Sequence, residues 1–381
     1  MTVITRLRTR GLRYPSGPLH RERWGPHEQA CQVTVQSDAG HLGSVIARAH
    51  CGMSYQALAE SVQLALGPAV LGRRVDSVDD IQGVWQRMMH AYLAQYVPIF
   101  AVSAIDVALW DLLGRTRGTP VAALLNTAAT AAHVPVYASL PHADSGAAVV
   151  DTAEQTLAAG FASVKVHGTA DGDLDRQICR ALREKFGDGT GLMYDGGRLL
   201  TRDGARDLGG LLDGLGYAWL EEPFGPFDHE SYRWLARECP IPVAAFETAP
   251  GGPGATAWAI GHRLATYLLV DCYWKGGLTG ARQVVHNAAA AGQSLIMHHG
   301  ASSTMNVANL HLVAAYPELG QAEFLVPYGL YDVGSTVLPI TPGAGVRVPT
   351  GPGLGIELDE GFLDRHAIPG SAETTSATVS G

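Results

Sequence analysis

GLMYD (residues 191–195), YAWLEEP (217–223) and PVAAFE (242–247) are three short apolar runs, and each delivers a carboxylate: Asp195, Glu221 and Glu247. The step from one acid to the next is 26 residues both times, close to the roughly 30 residues that a strand, a helix and two loops occupy in a βα unit. Equal spacing along the chain then becomes adjacency in space, because consecutive parallel strands lie side by side. Three acids at neighbouring strand ends repel one another unless a cation sits among them. Hard oxygen donors favour Mg²⁺ or Mn²⁺ over zinc. Any one of these acids alone reads as a surface residue at a loop start. It is the recurrence after three apolar runs that points to a metal.

Working outward, the same rhythm continues in both directions. VPVYASL (134–140), ASVKVHG (162–168), YLLVDC (267–272), SLIMHH (294–299) and AEFLVP (322–327) complete a set of eight candidate strands. Alanine- and leucine-rich helical stretches separate them, for example 145–160, 173–186, 280–292 and 303–316. Strands alternating with helices imply a parallel sheet, and eight of them imply a closed β/α barrel with its chemistry at the C-terminal strand ends. Residues 1–130 read differently. An alternating first strand, a Pro- and Gly-rich loop and a hairpin about Asp38-Ala39-Gly40 precede helical patterns at 54–66, 76–94 and 99–114, the last with Ser103 as its expected cap. This is a separate α+β domain. The barrel is expected over 131–336. A Gly- and Pro-rich segment, 337–368, is expected to return to the first domain, and the Ser/Thr-rich 369–381 reads as a disordered tail.

Composition narrows the function classes. A net charge of −9 without basic runs argues against a nucleic-acid partner. Five scattered cysteines without a CxxC pair suggest reduced thiols rather than a disulfide framework or a zinc site. The arginine-rich N-terminus lacks a secretory apolar segment, and no run approaches the ~20 residues of a membrane span. A cytoplasmic protein is expected.

The strand ends carry the chemistry. Lys165 and His167, two apart, share one face of the second strand. The sixth strand ends in Asp271, the seventh in His298 and His299, and the eighth carries Glu323. Potential bases thus flank the three acids from both sides. Removing a proton next to a carboxylate builds charge on that carboxylate's oxygens, which a divalent cation stabilises. A lysine beside a metal and other cations has its pKa lowered and can act as a neutral base, and a histidine held by an aspartate is fixed in one tautomer. Only one of His298 and His299 can face the interior of a regular strand. Gly300, which lets the chain turn at the mouth, favours His299 as the partner of Asp271. Blander roles exist for each: a rim salt bridge for Lys165, a rim hydrogen bond for His167, an ordinary ion pair for Glu323. The run Gly251-Gly252-Pro253-Gly254 lacks the spacing and the acid of a dinucleotide site.

With these residues in place, the chain resembles the enolase superfamily, in its mandelate racemase/muconate lactonizing enzyme family. The resemblance runs through SAIDVALWDLLGRTRGTPVAALL, VKVHG, MYDGG, LEEP, FE, VDCYWKGGLTG, MHHG and AEFLVP. It implies a modified (β/α)7β TIM barrel beneath an α+β capping domain completed by the C-terminal segment. It implies Mg²⁺ on Asp195, Glu221 and Glu247, an Asp271–His299 dyad, and Glu323 holding the substrate carboxylate or enolate oxygen. Substrate would lie beneath two cap loops near 13–28 and 49–55, so that His20, Trp24, His50 and Met53, with His298 in the barrel, are candidate contacts. Two positions depart from the family pattern. His167 stands where the second lysine of Lys-x-Lys is usual, and Gly197 stands where a polar side chain is common. The implied reaction is dehydration of a sugar acid or related hydroxy acid by a Mg²⁺-dependent lyase. Racemisation or epimerisation by two bases is the alternative. Cycloisomerisation is less in keeping with a histidine partner, and a non-catalytic binder is the reading from another class. The implied partners are a small carboxylate substrate and further copies of the chain in a homo-oligomer.

Overall fold

The structure is a computed structural model that describes residues 1–16, 25–49, 53–127, 131–142, 145–169, 171–249, 251–299, 303–326, 334, 338, 340–343 and 345–377. The chain opens with strands β1 (Ile4–Pro15), β2 (His27–Ser37) and β3 (Leu42–Arg48), an antiparallel meander. Helix α1 (Tyr55–Glu60) runs on through a π-helical turn (Ser61–Leu66), and α2 (Val78–Gln95), α3 (Ile99–Arg117) and α4 (Val121–Leu125) follow. Helix α2 starts where Ser77 accepts a hydrogen bond from the Asp80 amide, a side-chain cap on an otherwise unsatisfied donor. Helix α3 is buried from Ile99 to Gly114. A helix apolar on all sides needs cover on all sides, and α3 finds it between strands β2 and β3 and the barrel. Ser103 does not cap α3. Pro98 precedes the helix, and the Ser103 hydroxyl lies inside it, 3.0 Å from the Ile99 carbonyl and 2.8 Å from that of Tyr273.

All eight strands of the barrel form. They are β5 (Val136–Ser139), β6 (Ser163–His167), β7 (Gly191–Asp195), β8 (Leu220–Glu221), β9 (Val243–Ala245), β10 (Tyr267–Val270), β11 (Ser294–Met297) and β12 (Ala322–Leu325), preceded by the short β4 (His133–Val134). Each barrel strand pairs in parallel with the next in sequence, and β12 closes on β5. A helix follows each of the first seven: α5 (Gly146–Ala158), α6 (Gly172–Phe186), α7 (Arg202–Gly214), α8 (His229–Glu238), α9 (Gly252–His262), α10 (Gly277–Ala291) and α11 (Met305–Ala315). This is a (β/α)7β barrel. Helices such as α6, which buries Ile178, Cys179 and Leu182, are amphipathic as an outer ring requires, whereas α11 is buried along its whole length. Tyr137, Met193, Trp219, Ala244, Leu269 and Ile296 form a packed inner layer, so the barrel is a floor for the site rather than a pore.

The C-terminal part forms β13 (Ile340–Thr341) and β14 (Gly345–Arg347), which pairs with β4, then α12 (Glu360–His366), and β15 (Glu373–Ser376). Leu363 of α12 packs with Leu12, Tyr14, Ala30 and Ile46 of the capping sheet. The expectation of a disordered tail from residue 369 fails at β15, which adds to β1 as a fourth antiparallel strand. Its backbone pairing, not apolar burial, orders a segment whose composition reads as disordered. Among the described residues no helix is long and apolar enough to cross a membrane.

Candidate active site

Strand geometry delivers the acids to one place. In register, His167 faces Asp195 and Asp195 faces Glu221, while Glu247 follows β9 by two residues. Lys165, Glu221, Glu323, Asp271 and His299 are almost wholly buried. Lys165 Nζ lies against a Glu221 oxygen, 2.9 Å from Glu323 and 3.7 Å from Asp195. Burial works against its charge, but Glu221, Glu323 and Asp195 together hold the ammonium well above its ordinary value. Among these carboxylates Lys165 is held as a cation.

His167 answers differently. Its Nδ1 lies 2.8 Å from the Leu140 carbonyl, which only accepts, so Nδ1 carries the proton and Nε2 the lone pair. That Nε2 is 3.5 Å from Asp195. Burial, with Lys165 and His142 adding to it, brings the imidazole down to about 4 against the pull of Asp195. The ring of His142 packs on it, centroids 4.9 Å apart.

On the opposite side, the histidines are reversed from the expectation. His298, not His299, pairs with Asp271, Nδ1 to Oδ2 at 3.1 Å, and its Nε2 is 2.7 Å from Glu247. Asp271 is itself held by the Tyr273 amide and the Asn309 side-chain amide, each at 2.9 Å. His299 turns away: its ring nitrogens lie 2.6 Å from the Glu323 carbonyl and 3.0 Å from that of Asn306, and its backbone N–H donates to the Glu323 carboxylate. The physical reason is where the strand stops. Strand β11 ends at Met297, so the inward side chain is the first residue past it.

Glu323 is held down at about 2, Lys165 and His298 outweighing its burial. Met53 is half-buried against the core. His20, Trp24, His50 and Gly300 lie outside the described residues.

Three further residues at this mouth carry no obvious mark in the sequence. Arg198 Nη1 lies 3.2 Å from Glu247 and 3.1 Å from the Thr248 hydroxyl. Glu222 accepts the Glu247 N–H at 2.9 Å. Lys275 is fully buried and donates to the carbonyls of Phe246 and Glu247 at 2.6 and 2.8 Å; burial, against Glu222, Asp271 and Glu247, lowers it to about 8. One signal could have found Lys275: the chain has three lysines, and Lys165 on β6 and Lys275 in the loop after β10 are the two outside the helices.

As they stand, no three of the described His, Cys, Asp and Glu side chains are drawn together into a cage for an ion. The protein's own cations lie against all three acids instead, Lys165 on Asp195 and Glu221, and His298 and Arg198 on Glu247. The donor set nonetheless fits a hard divalent ion. Burial raises the Glu221 carboxyl, with Asp195, Glu323 and Glu247 adding to it and Lys165 working against it.

A closed parallel barrel with carboxylates, a lysine and an Asp–His pair at its strand ends, roofed by an α+β cap, is the architecture of the enolase superfamily. Within it, the chain belongs to the mandelate racemase/muconate lactonizing enzyme family: residues 15–126 match "Mandelate racemase / muconate lactonizing enzyme, N-terminal domain" and residues 148–362 match "Enolase C-terminal domain-like". The 3,6-anhydro-alpha-L-galactonate cycloisomerase of Streptomyces coelicolor is 30% identical over 323 residues, 82% of this chain and 84% of that protein. The arabinonate dehydratase of Saccharolobus solfataricus is 26% identical over 299 residues, 75% of this chain and 78% of that one. A racemase from Streptomyces coelicolor, solved with bound magnesium, superimposes with a TM-score of 0.82 at 28% identity, covering 96% of this chain and 100% of its own.

Proposed function

We propose that the protein is a Mg²⁺-dependent enzyme that removes the proton α to the carboxylate of an acid sugar and eliminates a β-hydroxyl as water, leaving a keto acid. The observation that carries the reading is the pair of histidines across the mouth, one presenting a lone pair and the other a proton. Asp195, Glu221 and Glu247 would hold the ion. When bound, it supplies positive charge to the substrate carboxylate as the enolate develops. Lys165, kept cationic by its acid neighbours, faces the same oxygens from the β6 side. His167 Nε2 takes the α-proton, its tautomer fixed by the Leu140 carbonyl. His298, donating through Nδ1 to Asp271, returns a proton from Nε2 to the departing hydroxyl. Water is the leaving group, and the enol product tautomerises to the ketone. Dehydratase and cycloisomerase relatives act, by their names, on acid sugars or their anhydro forms, which supports this substrate class.

The test is a panel of aldonic and aldaric acids with Mg²⁺ in D₂O, read for keto acid and for deuterium at the α-carbon. Keto-acid formation is expected. Exchange or inversion without keto acid would favour racemisation or epimerisation instead, and neither outcome on any acid would sink the reading.

A further inference from the structure

Three neighbouring strand-end loops place a non-glycine residue in the left-handed region: Arg198 at φ 66°, Glu222 at φ 38° and Phe246 at φ 74°. Such residues are strained and persist only where the surroundings over-determine them. At Phe246 the surroundings are two buried ionisable side chains, Lys275 and Glu222. The peptide group joining Phe246 to Glu247 offers one carbonyl and one N–H. The carbonyl accepts from Lys275 Nζ at 2.6 Å, and the N–H donates to Glu222 Oε1 at 2.9 Å. Lys275 then reaches the next carbonyl, that of Glu247, at 2.8 Å. Neither side chain is loosely seated. Glu222 Oε2 lies 3.1 Å from the Tyr232 hydroxyl, and the Lys275 backbone is packed so closely that a Cβ on Gly280 would come within 1.8 Å of its carbonyl oxygen.

A neutral donor would satisfy one carbonyl without the several kcal/mol that desolvating an ammonium costs. What the ammonium adds is reach to two successive carbonyls and a counter-charge for Glu222 across one rigid peptide plane. We propose that Lys275 and Glu222 are positioning residues for Glu247, gripping both ends of its peptide link so that its carboxylate is aimed at the metal position. The proposal rests on the metal reading given above. Because the Lys275 N–H also donates to the Asp271 carbonyl at 3.1 Å, the same clamp sets Glu247 and the Asp271–His298 pair in fixed relation.

The sign of the effect on metal binding separates this role from simple electrostatics. Removing a cation near a Mg²⁺ site should tighten binding if charge alone matters. Loss of positioning should weaken it, and loss of a supporting partner behind a metal ligand typically costs about 10–100-fold. Isothermal titration of the metal-free protein with Mg²⁺, without substrate, is therefore the measurement, made on wild type, Lys275→Met, Glu222→Gln and the double variant. Lys275→Met is expected to bind Mg²⁺ at least about tenfold more weakly, with kcat recovering at saturating Mg²⁺ more than the metal affinity does. Since both residues hold one peptide group, the double variant should lose little beyond Lys275→Met. Unchanged or tighter binding by folded Lys275→Met overturns the clamp, as does strict additivity. If Lys275→Met does not fold, Lys275→Gln decides: it removes the charge and cannot span both carbonyls, and binding as tight as or tighter than wild type there overturns the proposal. Absence of Mg²⁺ binding by the wild type would instead remove the metal reading itself, and the clamp with it.

Discussion

His298 and Glu247 are joined by a 2.7 Å contact between Nε2 and Oε2. It links a histidine from the β11 end of the barrel to an acid from the β9 end, across the β10 loop that supplies Asp271. In the proposed reading a metal on Glu247 and a proton on His298 would be neighbours, and changing either should be felt by the other.

Replacing His298 by Asn should lower kcat about 10²–10⁴-fold, the usual worth of general acid–base catalysis, while α-proton exchange into solvent survives through His167. His167→Asn should lose both exchange and product. NMR of the substrate in D₂O reads the two steps separately. The opposite pattern would reverse the roles assigned to the two histidines.

His299→Asn is expected to act on stability instead. Its ring lies between the Glu323 and Asn306 carbonyls in the core and donates to one of them, and leaving a buried polar group unpaired costs about 1–3 kcal/mol. Thermal unfolding should shift down while kcat per folded molecule holds within a few-fold of wild type. A catalytic collapse at unaltered Tm would count against the structural assignment.

Mg²⁺ should stabilise the protein by mass action, by about 2.7 kcal/mol at one hundred times its dissociation constant. Chelation should reverse the shift and abolish turnover. Glu221→Gln should remove the Mg²⁺-dependent part of the shift, which differential scanning calorimetry with and without the metal would show.

Asp106 on α3 is fully buried at the seam with α10, where it accepts the Thr279 N–H at 2.9 Å. Burial lifts its carboxyl to about 7, against the hydrogen bonds from Thr279 and Leu278. The folded state therefore binds its proton more tightly than the unfolded state. Its contribution is fully present below about pH 4 and is lost as the pH rises towards 7, up to about 4 kcal/mol. Asp106→Asn keeps an acceptor for Thr279 but cannot ionise. Relative to wild type it should gain stability between pH 5 and 8 in denaturant titrations. A difference that does not vary with pH would rule this out.

Gly277 faces the same carboxylate. At φ 84°, a Cβ would fall 2.3 Å from Asp106 Oδ2. Gly277→Ala should cost more than about 3 kcal/mol, combining clash and left-handed strain. Gly83→Ala, in α2 with nothing within 4 Å, should instead add roughly 0.5–1 kcal/mol. Paired thermal melts compare them.

The barrel was legible because its signal is periodic. Eight apolar runs at regular intervals leave few alternatives, and the strand-end acids follow from the same spacing. His298 and His299 were harder because strand alternation ceases where β11 stops, and one residue of phase decides which side chain faces the mouth. Lys275 lies within VDCYWKGGLTG, where nothing in the spacing marks it for a role. Its importance lies in backbone carbonyls from another loop, and a carbonyl leaves no trace in side-chain identity. Strand β15 escaped for the same reason, since its order comes from pairing to β1.

The segment from Asp271 to Gly276 touches the cap at every turn. Trp85 Nε1 donates to the Gly276 carbonyl at 2.6 Å, Ser103 to that of Tyr273, and the Tyr273 hydroxyl to that of Arg48 at 2.7 Å. Phe100 stacks on the Tyr273 ring with centroids 5.1 Å apart. The barrel is therefore not an autonomous catalyst wearing an exchangeable lid. A chimaera that borrows the cap of a relative to change its appetite for substrates would also be replacing the scaffolding of its own acid–base pair, so grafting loop tips is the safer route to new specificity than trading whole domains.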